Sequence, residues 1–284
     1  MSETKAVPSA HPERLLHTKL MPPRLPATSI PREELLRRLD EGLTKKVILI
    51  NAPTGFGKTT LVRQWIHERM KENEHQPSSF SLPPFRFAWI TLDDHDSDAV
   101  RFWTYVCSAL RTVDPSLGKA TLSMLTSPQP PSFESLLTPL LNDLARLQKS
   151  IVLVLEDYHA LKSTEVNESV SFLIQHLPET LHLVFITRSE PDLALGILRA
   201  RDELVEINAS DLRFDQAEAE AFLQQTVKTA LPSDAVASLL QKTEGWPAGL
   251  RLVTLALQNK SGMADVERLI ASFSGSDRYV ADYL

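Results

Sequence analysis

The 284-residue chain has a single cysteine, Cys107, and has neither a long hydrophobic run nor an excess of positive charge. One cysteine excludes a disulfide within the chain and a metal site built from several thiolates. No apolar run approaches the roughly 18 residues of a membrane-spanning helix. Residues 1–16 also lack the apolar core of a signal peptide. We therefore expect a cytoplasmic protein without a membrane partner.

The charge balance is acidic, with 30 Lys and Arg against 36 Asp and Glu, a formal net charge of −6 and a pI of about 5.8. Nucleic-acid-binding domains usually carry a basic face and a high pI. We therefore expect any contact with DNA to come from a local patch or from sequence outside this chain. The length suits one large domain or two moderate ones.

Short apolar segments alternate with amphipathic ones through the first three quarters of the chain. The predicted strands are 46–50, 85–92, 151–155, 181–187 and 204–207. Helical patterns cover 32–43, 98–112, 132–148 and 164–177. Because each strand is apolar throughout, the pattern predicts an α/β fold whose parallel sheet carries helices on both faces.

After about residue 212 the strand patterns disappear and the remainder is predicted to be helical. "DQAEAEAFLQQT" opens with Asp215 and Glu218 at the spacing of a capping box, which marks the start of a helix. We therefore divide the chain into an α/β domain, residues 1–211, and a small all-helical domain, residues 212–284.

The segment "NAPTGFGKTT", residues 51–60, lies between a predicted strand and a predicted helix. Phosphate-binding loops follow the pattern G-x-x-x-x-G-K-[ST]; here Ala52 replaces the first glycine, while Gly57, Lys58 and Thr59 match. Glycines let successive N–H groups face an anion, and the helix N-terminus adds partial positive charge. A flexible glycine turn with a surface lysine is the alternative, but the strand–loop–helix context favours phosphate binding. The expected phosphate-loop contacts are Thr54, Gly55, Phe56, Gly57, Lys58, Thr59 and Thr60.

Acidic side chains follow the most hydrophobic strand, in "IVLVLEDYH". At the carboxyl edge of a parallel sheet, Glu156 and Asp157 would project beside Thr59, whose hydroxyl is expected to hold Mg²⁺. Glu156 could hold Mg²⁺ through a water, and Asp157 could orient or deprotonate an attacking water. A solvated acidic turn is the alternative. On the next strand, Arg188 could pair with a γ phosphate and distinguish ATP from ADP, or could form a surface salt bridge.

Other polar clusters carry weaker signals. The aspartates of residues 93–98 lack the glycine and the final glutamate of a calcium loop, and Asp98 is better placed as a helix cap. His95 and His159 have no partners at metal-ligand spacing, so both are expected to be structural. We expect no metal other than the Mg²⁺ that accompanies the nucleotide.

Seven segments in order resemble the nucleotide-binding and adjoining helical regions of MalT-like transcriptional activators of the LuxR family, which belong to the STAND class of P-loop ATPases. The resemblance covers the chain from about residue 17 to the end. The segments are "NAPTGFGKTTLVRQW", "WITLDDHDSDAVRFWTYV", "LVLEDYHAL", "FITRSEPDLALGILRARDEL", "LRFDQAEAEAFL", "TEGWPAGLRL" and "FSGSDRYVADYL".

The resemblance implies a molecular switch that binds ATP or ADP and resets by slow hydrolysis. It implies adenine contacts from Ile30, Pro31 and Arg32, before the first strand, and from Pro247 in "GWP". It also implies the sheet order of additional-strand ATPases, with the phosphate-loop strand central. From the residues alone, Gly245 could cap one helix and Pro247 start the next.

Two positions of the nucleotide motifs bear on the resemblance. Ala52 agrees with the family, although it departs from the general phosphate-loop pattern. Glu156 stands where the family usually has aspartate, so the division of roles between Glu156 and Asp157 stays open.

The family also suggests partners that this chain would not bind alone. The resemblance implies self-association of the full-length protein in the ATP state, and DNA binding through a C-terminal domain. Winged-helix, sensor and helix-turn-helix domains are not recognised here, so we interpret the chain as a regulatory core or a fragment. The alternatives are a dedicated ATP-hydrolysing enzyme or motor of another P-loop class, and an interaction module without nucleotide.

Overall fold

The computed structural model describes residues 15–74, 85–129, 131–227 and 231–257. The segment "FSGSDRYVADYL" and the rest of the predicted helical domain after residue 257 lie outside these residues. The strands are β1 (Val47–Asn51), β2 (Arg86–Thr91), β3 (Ile151–Glu156), β4 (Leu181–Thr187) and β5 (Leu204–Asn208). All five predicted strands are therefore confirmed.

Helices connect the strands and form the C-terminal part of the described chain. Through β4 they are α1 (Glu33–Glu41), α2 (Lys58–Glu74), α3 (Ala99–Val113), α4 (Lys119–Leu125), α5 (Phe133–Ala145) and α6 (Thr164–Gln175). After β4 they are α7 (Leu195–Ala200), α8 (Ala209–Leu212), α9 (Gln216–Thr226), α10 (Ser233–Thr243) and α11 (Pro247–Leu257). Short 3₁₀ turns occur at His17–Leu20, Gly42–Thr44, Asp94–Ser97 and Tyr158–Ala160. Within the described ranges, no helix combines the length and apolarity needed to cross a membrane.

The strands form one parallel sheet in the order β2-β3-β4-β1-β5. Strand β4 lies between β1 and β3 and is the additional strand that the resemblance implies. The phosphate-loop strand β1 is interior, but β4 and not β1 is the middle strand, so the expectation of a central β1 is wrong in that detail. Every residue of β3 and β4 is buried, as a sheet covered on both faces requires.

Alternate residues of β1 enter two different cores, because successive side chains of a strand point to opposite faces. Val47 and Leu49 pack with α3, α4, α5 and α6 around Trp103. Ile48 and Ile50 pack on the other face with α1, α2 and α8. Both faces of the sheet are therefore sealed, and its carboxyl edge is left for polar groups.

Helices α9, α10 and α11 enclose a third core of their own. Its buried residues include Phe222, Leu239 and Leu250, and Ile30 reaches it from the segment before α1. Leu212, the last residue of α8, packs in the sheet core instead. The change from one core to the next therefore occurs within two residues of Leu212, because Phe214 packs against the third core.

Arg32 ties the segment before α1 to the start of the helical part. Its guanidinium donates to the carboxylate of Glu218 at 2.8 and 2.9 Å and to the carbonyls of Leu212 and Arg213, each at 2.8 Å. The same group lies 5.3 Å from the ring centre of Phe214. Arg32 is 9% exposed, so its charge depends on these partners.

We predict that Arg32→Ala lowers the free energy of unfolding by about 3 kcal/mol, because it leaves the Glu218 carboxylate and several carbonyls without their partner. Urea unfolding followed by circular dichroism measures the change. Arg37→Ala on α1 is the matched control, since Arg37 pairs only at the exposed surface with Glu34 and Glu41. Equal urea midpoints for the two variants would contradict the prediction.

Candidate functional site

The loop between β1 and α2 has the backbone of an anion-binding loop. Gly55 and Gly57 have φ values of +81° and +78°, which side-chain-bearing residues rarely adopt. A Cβ at Gly57 would meet nothing within 4 Å, so only the backbone requires glycine there. A Cβ at Gly55 would lie 2.6 Å from Ala248 Cβ and 2.7 Å from Trp246 Nε1. Gly55 is therefore required by conformation and by close packing.

Ala52, in place of the usual first glycine, occupies an ordinary backbone position. It does not have a positive φ, and it is 2% exposed in the sheet core. Its N–H donates to the Thr187 carbonyl at 3.3 Å, and its own carbonyl accepts from Lys58 Nζ at 2.6 Å. A methyl group is accommodated there, so the departure from the general pattern leaves the loop intact.

Lys58, the first residue of α2, turns back along the loop that precedes it. Its Nζ donates to the carbonyls of Ala52 and Pro53 at 2.6 and 2.8 Å, and the residue is 7% exposed. Burial lowers the pKa of Lys58 to about 8, and the nearby charge of Arg188 contributes to the same direction. The loop thus holds a cation that lacks a full counter-charge.

Glu156, the last residue of β3, lies where a metal ligand is expected. Its Oε1 accepts from Thr59 Oγ1 at 2.6 Å, and its Oε2 accepts from Thr91 Oγ1 at 2.8 Å. Thr91 accepts in turn from Trp89 Nε1 at 3.0 Å. The structure therefore brings Glu156 and Thr59 together, and it adds Thr91, which the sequence analysis missed. The position of Thr91 at the end of an apolar strand was the available signal.

Asp157 and Arg188 line the same polar pocket, of about 280 Å³, as the phosphate loop. Asp157 has a positive φ of 56°, and its side chain is 41% exposed. Arg188 is exposed beyond the end of β4. Next to them, His159 Nδ1 lies 3.9 Å from Asp157 Oδ1 and is buried without a hydrogen-bond partner in the described part of the chain. Burial lowers the pKa of His159, so the neutral ring is favoured.

A second, mainly apolar cleft of about 320 Å³ also borders the phosphate loop. Its apolar walls come from the segment before α1, from the phosphate loop with α2, and from the helical part: Ile30, Phe56, Leu61, Phe214, Phe222 and Pro247. Arg32 also lines the cleft, although its guanidinium is already bonded to Glu218 and to the carbonyls of Leu212 and Arg213, a set of contacts that we call the Arg32 clamp. Pro31 is exposed and is not among the lining residues, so it is the one expected base contact that the cleft does not include.

The two cavities meet on the phosphate loop, since Gly55, Gly57 and Thr60 line both. An apolar cleft beside a pocket with a lysine and a helix N-terminus suits a ligand with a flat base and a phosphate chain. The hydroxyl of Thr59 and the carboxylate of Glu156 are oxygen ligands of the kind Mg²⁺ prefers. No group of three or more His, Cys, Asp or Glu side chains at metal-binding distance occurs in the described ranges, so Mg²⁺ would need phosphate and water ligands as well.

Comparison with known proteins identifies relatives of two kinds, although no protein-family model matches the chain. The HTH-type transcriptional regulator MalT of Klebsiella pneumoniae is 30% identical over 271 residues, which cover 95% of this chain and 28% of the regulator. The serine/threonine-protein kinase PknK of Mycobacterium tuberculosis is 30% identical over 267 residues, which cover 94% of this chain and 23% of the kinase. The chain thus spans about a quarter of the length of these relatives. The resemblance to MalT-like regulators is confirmed.

Solved structures with a similar fold are P-loop ATPases. A STAND protein with a tetratricopeptide repeat sensor from Pyrococcus horikoshii gives a TM-score of 0.55 at 13% identity, over 87% of this chain and 33% of that one. A Walker-type ATPase of Pyrococcus abyssi gives a TM-score of 0.55 at 16% identity, over 87% of this chain and 73% of that one. The fold is therefore that of P-loop ATPases, as the sequence predicts.

We predict that ADP affinity is constant up to about pH 8 and falls above it, approaching tenfold per pH unit. Bound phosphates favour the charged form of Lys58, so binding above its pKa of about 8 requires uptake of a proton. A terminal phosphate loses its second proton near pH 6, so the charge of ADP changes little between about pH 7 and 9.5. Calorimetric titration between pH 7 and 9.5 measures the effect.

The variant Lys58→Arg is the control for this pH dependence, because a guanidinium keeps its charge over the whole range. Its residual affinity should not change with pH. A wild-type affinity that is equally flat to pH 9.5 would contradict the role given to the Lys58 charge.

Proposed function

We propose that this chain, which is similar to MalT regulators over 95% of its length, is the nucleotide-binding core of a signal-responsive transcription regulator. In this role it binds ATP or ADP with Mg²⁺ and acts as a switch that slow hydrolysis resets. The observation that carries the proposal is the junction of an apolar cleft and a polar pocket on one phosphate loop.

The adenine base fits the apolar cleft in this proposal. Ile30 and Phe222 supply apolar walls, and Pro247 at the start of α11 supplies a rigid one. Gln64 lines the same cleft and donates from its amide to the Ile30 carbonyl, so the segment before α1 is held against α2. A base bound here would contact both the α/β part and the helical part of the chain.

The phosphates fit the polar pocket, where Lys58 and the loop N–H groups offset their charge. Bound Mg²⁺ would neutralise further phosphate charge, with Thr59 and Glu156 as its protein ligands, directly or through water. The bond between Thr59 and Glu156 supports giving the metal role to Glu156. Asp157, more exposed and lining the same pocket, is then the carboxylate that orients the attacking water.

Arg188 is the residue that senses the γ phosphate in this proposal. It lines the polar pocket together with Lys58, and its charge adds to the effect of burial in lowering the pKa of that lysine. A third phosphate placed between the two cations would relieve their repulsion, whereas ADP would leave Arg188 without this partner. Differential contact of this kind is what a nucleotide-dependent equilibrium requires.

A switch is favoured over a dedicated ATP-hydrolysing enzyme or motor by the composition of the cleft. The walls come from the segment before α1, from the phosphate loop and from helices α9 and α11. A ligand shared by several segments favours the arrangement that it contacts best. In the whole regulator, the ATP arrangement would permit self-association, and DNA would be bound through a domain beyond this chain.

We expect protein purified without added nucleotide to release ADP or ATP when it is denatured, and chromatography identifies the compound.

We expect Lys58→Ala to weaken nucleotide binding at least about 100-fold, because the lysine charge interacts directly with the phosphates. Lys45→Ala is a matched control, since Lys45 precedes β1 at the opposite edge of the sheet and pairs with Asp202. Unchanged calorimetric affinity in Lys58→Ala would refute the proposal, whereas turnover of many ATP per second would favour an enzyme over a switch.

We predict different effects for the two acidic residues. Asp157→Asn should lower ATP turnover about 100-fold with less than threefold change in ATP affinity, because a water-orienting carboxylate acts mainly in the transition state. Glu156→Gln should instead raise the Mg²⁺ concentration needed for half-maximal turnover about tenfold. Steady-state turnover during Mg²⁺ titration measures both.

The exposed Asp94→Asn, just after β2, is the control for these carboxylate variants and should resemble wild type. The assignment of roles is wrong if the two effects are exchanged. If neither variant changes ATP turnover, Glu156 and Asp157 have no role in hydrolysis.

A further inference from the structure

The start of α11 lies directly against the outer side of the phosphate loop. The indole Nε1 of Trp246 donates to the Thr54 carbonyl at 3.1 Å. Two residues later, the backbone N–H of Ala248 donates to the Gly55 carbonyl at 3.0 Å. Two consecutive peptide groups of the loop are therefore bonded to the helical part of the chain, across a sequence separation of 192 residues for the first bond.

The indole of Trp246 fits in a space left by two glycines. A Cβ at Gly55 would lie 2.7 Å from Nε1, and a Cβ at Gly249, in the first turn of α11, would lie 2.8 Å from Cε3. Both distances are too short for a side chain at either position. The ring is thus held on both sides, and its N–H has a defined direction toward the loop.

The orientation of these carbonyls determines where the next N–H groups point. A trans peptide is planar, so the C=O of one residue and the N–H of the next lie on opposite sides of the chain. With the carbonyls of Thr54 and Gly55 bonded to α11, the N–H groups of Gly55 and Phe56 point away from α11. Thr54, Gly55, Gly57 and Lys58 line the polar pocket, whereas Trp246 and Ala248 do not. Gly55 lines the polar pocket, whereas Phe56 lines the apolar cleft instead. The N–H of Gly55, whose peptide carbonyl is bonded to Trp246, is therefore the one directed to the phosphate side.

We propose that Trp246 is a positioning residue that orients the phosphate loop for binding. This inference rests on the proposed function of the same site. Glycine-rich peptides rotate easily because they have no Cβ, so the loop alone does not fix its N–H groups. The bonds from Trp246 and Ala248 supply the missing constraint from outside the loop. The helical part thus contributes to phosphate affinity without touching a phosphate.

The same arrangement separates the roles of two neighbouring residues. Pro247 lines the apolar cleft, where the base binds, while Trp246 bonds to the loop. Loss of the indole N–H should therefore weaken the binding of phosphates and leave the binding of the base unchanged. Because coupling between two contacts is reciprocal, phosphate binding should also strengthen the contact between the start of α11 and the phosphate loop.

The test is Trp246→Phe, which keeps an aromatic ring and removes the N–H donor. We expect ADP affinity to fall about tenfold, the effect of one lost hydrogen bond, and adenosine affinity to change less than twofold. Competition against a fluorescent ADP analogue measures both ligands. Trp103→Phe is the matched control, because Trp103 is fully buried in the sheet core and donates to Ser169 instead.

A second measurement does not depend on nucleotide at all. In the nucleotide-free protein, NMR relaxation dispersion at the amides of residues 54–57 should be larger in Trp246→Phe than in wild type or in Trp103→Phe. If wild type binds no ADP but the dispersion still increases, the proposed function fails and the positioning role stands. If ADP binds and neither the dispersion nor the ADP-to-adenosine affinity ratio changes, the positioning role is refuted.

A variant of the same shape excludes a folding defect as the cause. Benzothienylalanine at position 246 replaces the indole N–H with sulfur and keeps the ring between the two glycines. Its thermal midpoint should match that of wild type, and its ADP affinity should fall as in Trp246→Phe. Wild-type ADP affinity with this side chain, or an equal loss of ADP and adenosine affinity, would overturn the proposal.

Discussion

The polar groups at the strand ends of the site are brought together by the parallel register of the sheet, because all five strands end at one edge. Asn51 pairs with Thr187, and Thr91 pairs with Glu156, so the last residues of neighbouring strands lie side by side. Because both faces of the sheet are sealed by apolar cores, polar side chains find space only where the strands end. The Thr91–Glu156 bond is a direct result of this register, and it holds the carboxylate toward Thr59.

One side chain, Glu218, serves both the local structure of the helical part and its attachment to the segment before α1. Glu218 closes the capping box of α9 with Asp215, and the same carboxylate accepts from Arg32. The start of α9 and the ion pair with Arg32 therefore both depend on the Glu218 side chain. Since Arg32 lies only two residues after Ile30, its bonds also hold the segment that lines the apolar cleft. The cleft therefore depends on the correct start of α9.

Local signals in the sequence predicted most of the fold and the centre of the site. The strands were predicted within two residues because each is apolar throughout, and the loop with Lys58 follows a motif of fixed spacing. Short helices such as α4 and α7, with seven and six residues, have too few turns for a clear period and were missed. Thr91 and Trp246 were missed for another reason, since their partners are set by strand order and by contacts between distant segments.

The indole between two glycines also limits how this sequence can change in evolution. Gly55 has a positive φ and would remain constrained without its neighbour, whereas Gly249 lies in an ordinary helical turn. In a lineage that replaced Trp246 with a small residue, a Cβ at position 249 would lose its closest contact and meet Thr243 Cγ2 at 3.3 Å, so alanine, the better helix former, would need only a small shift. Positions 246 and 249 should therefore vary together among descendants, while position 55 stays glycine in all of them.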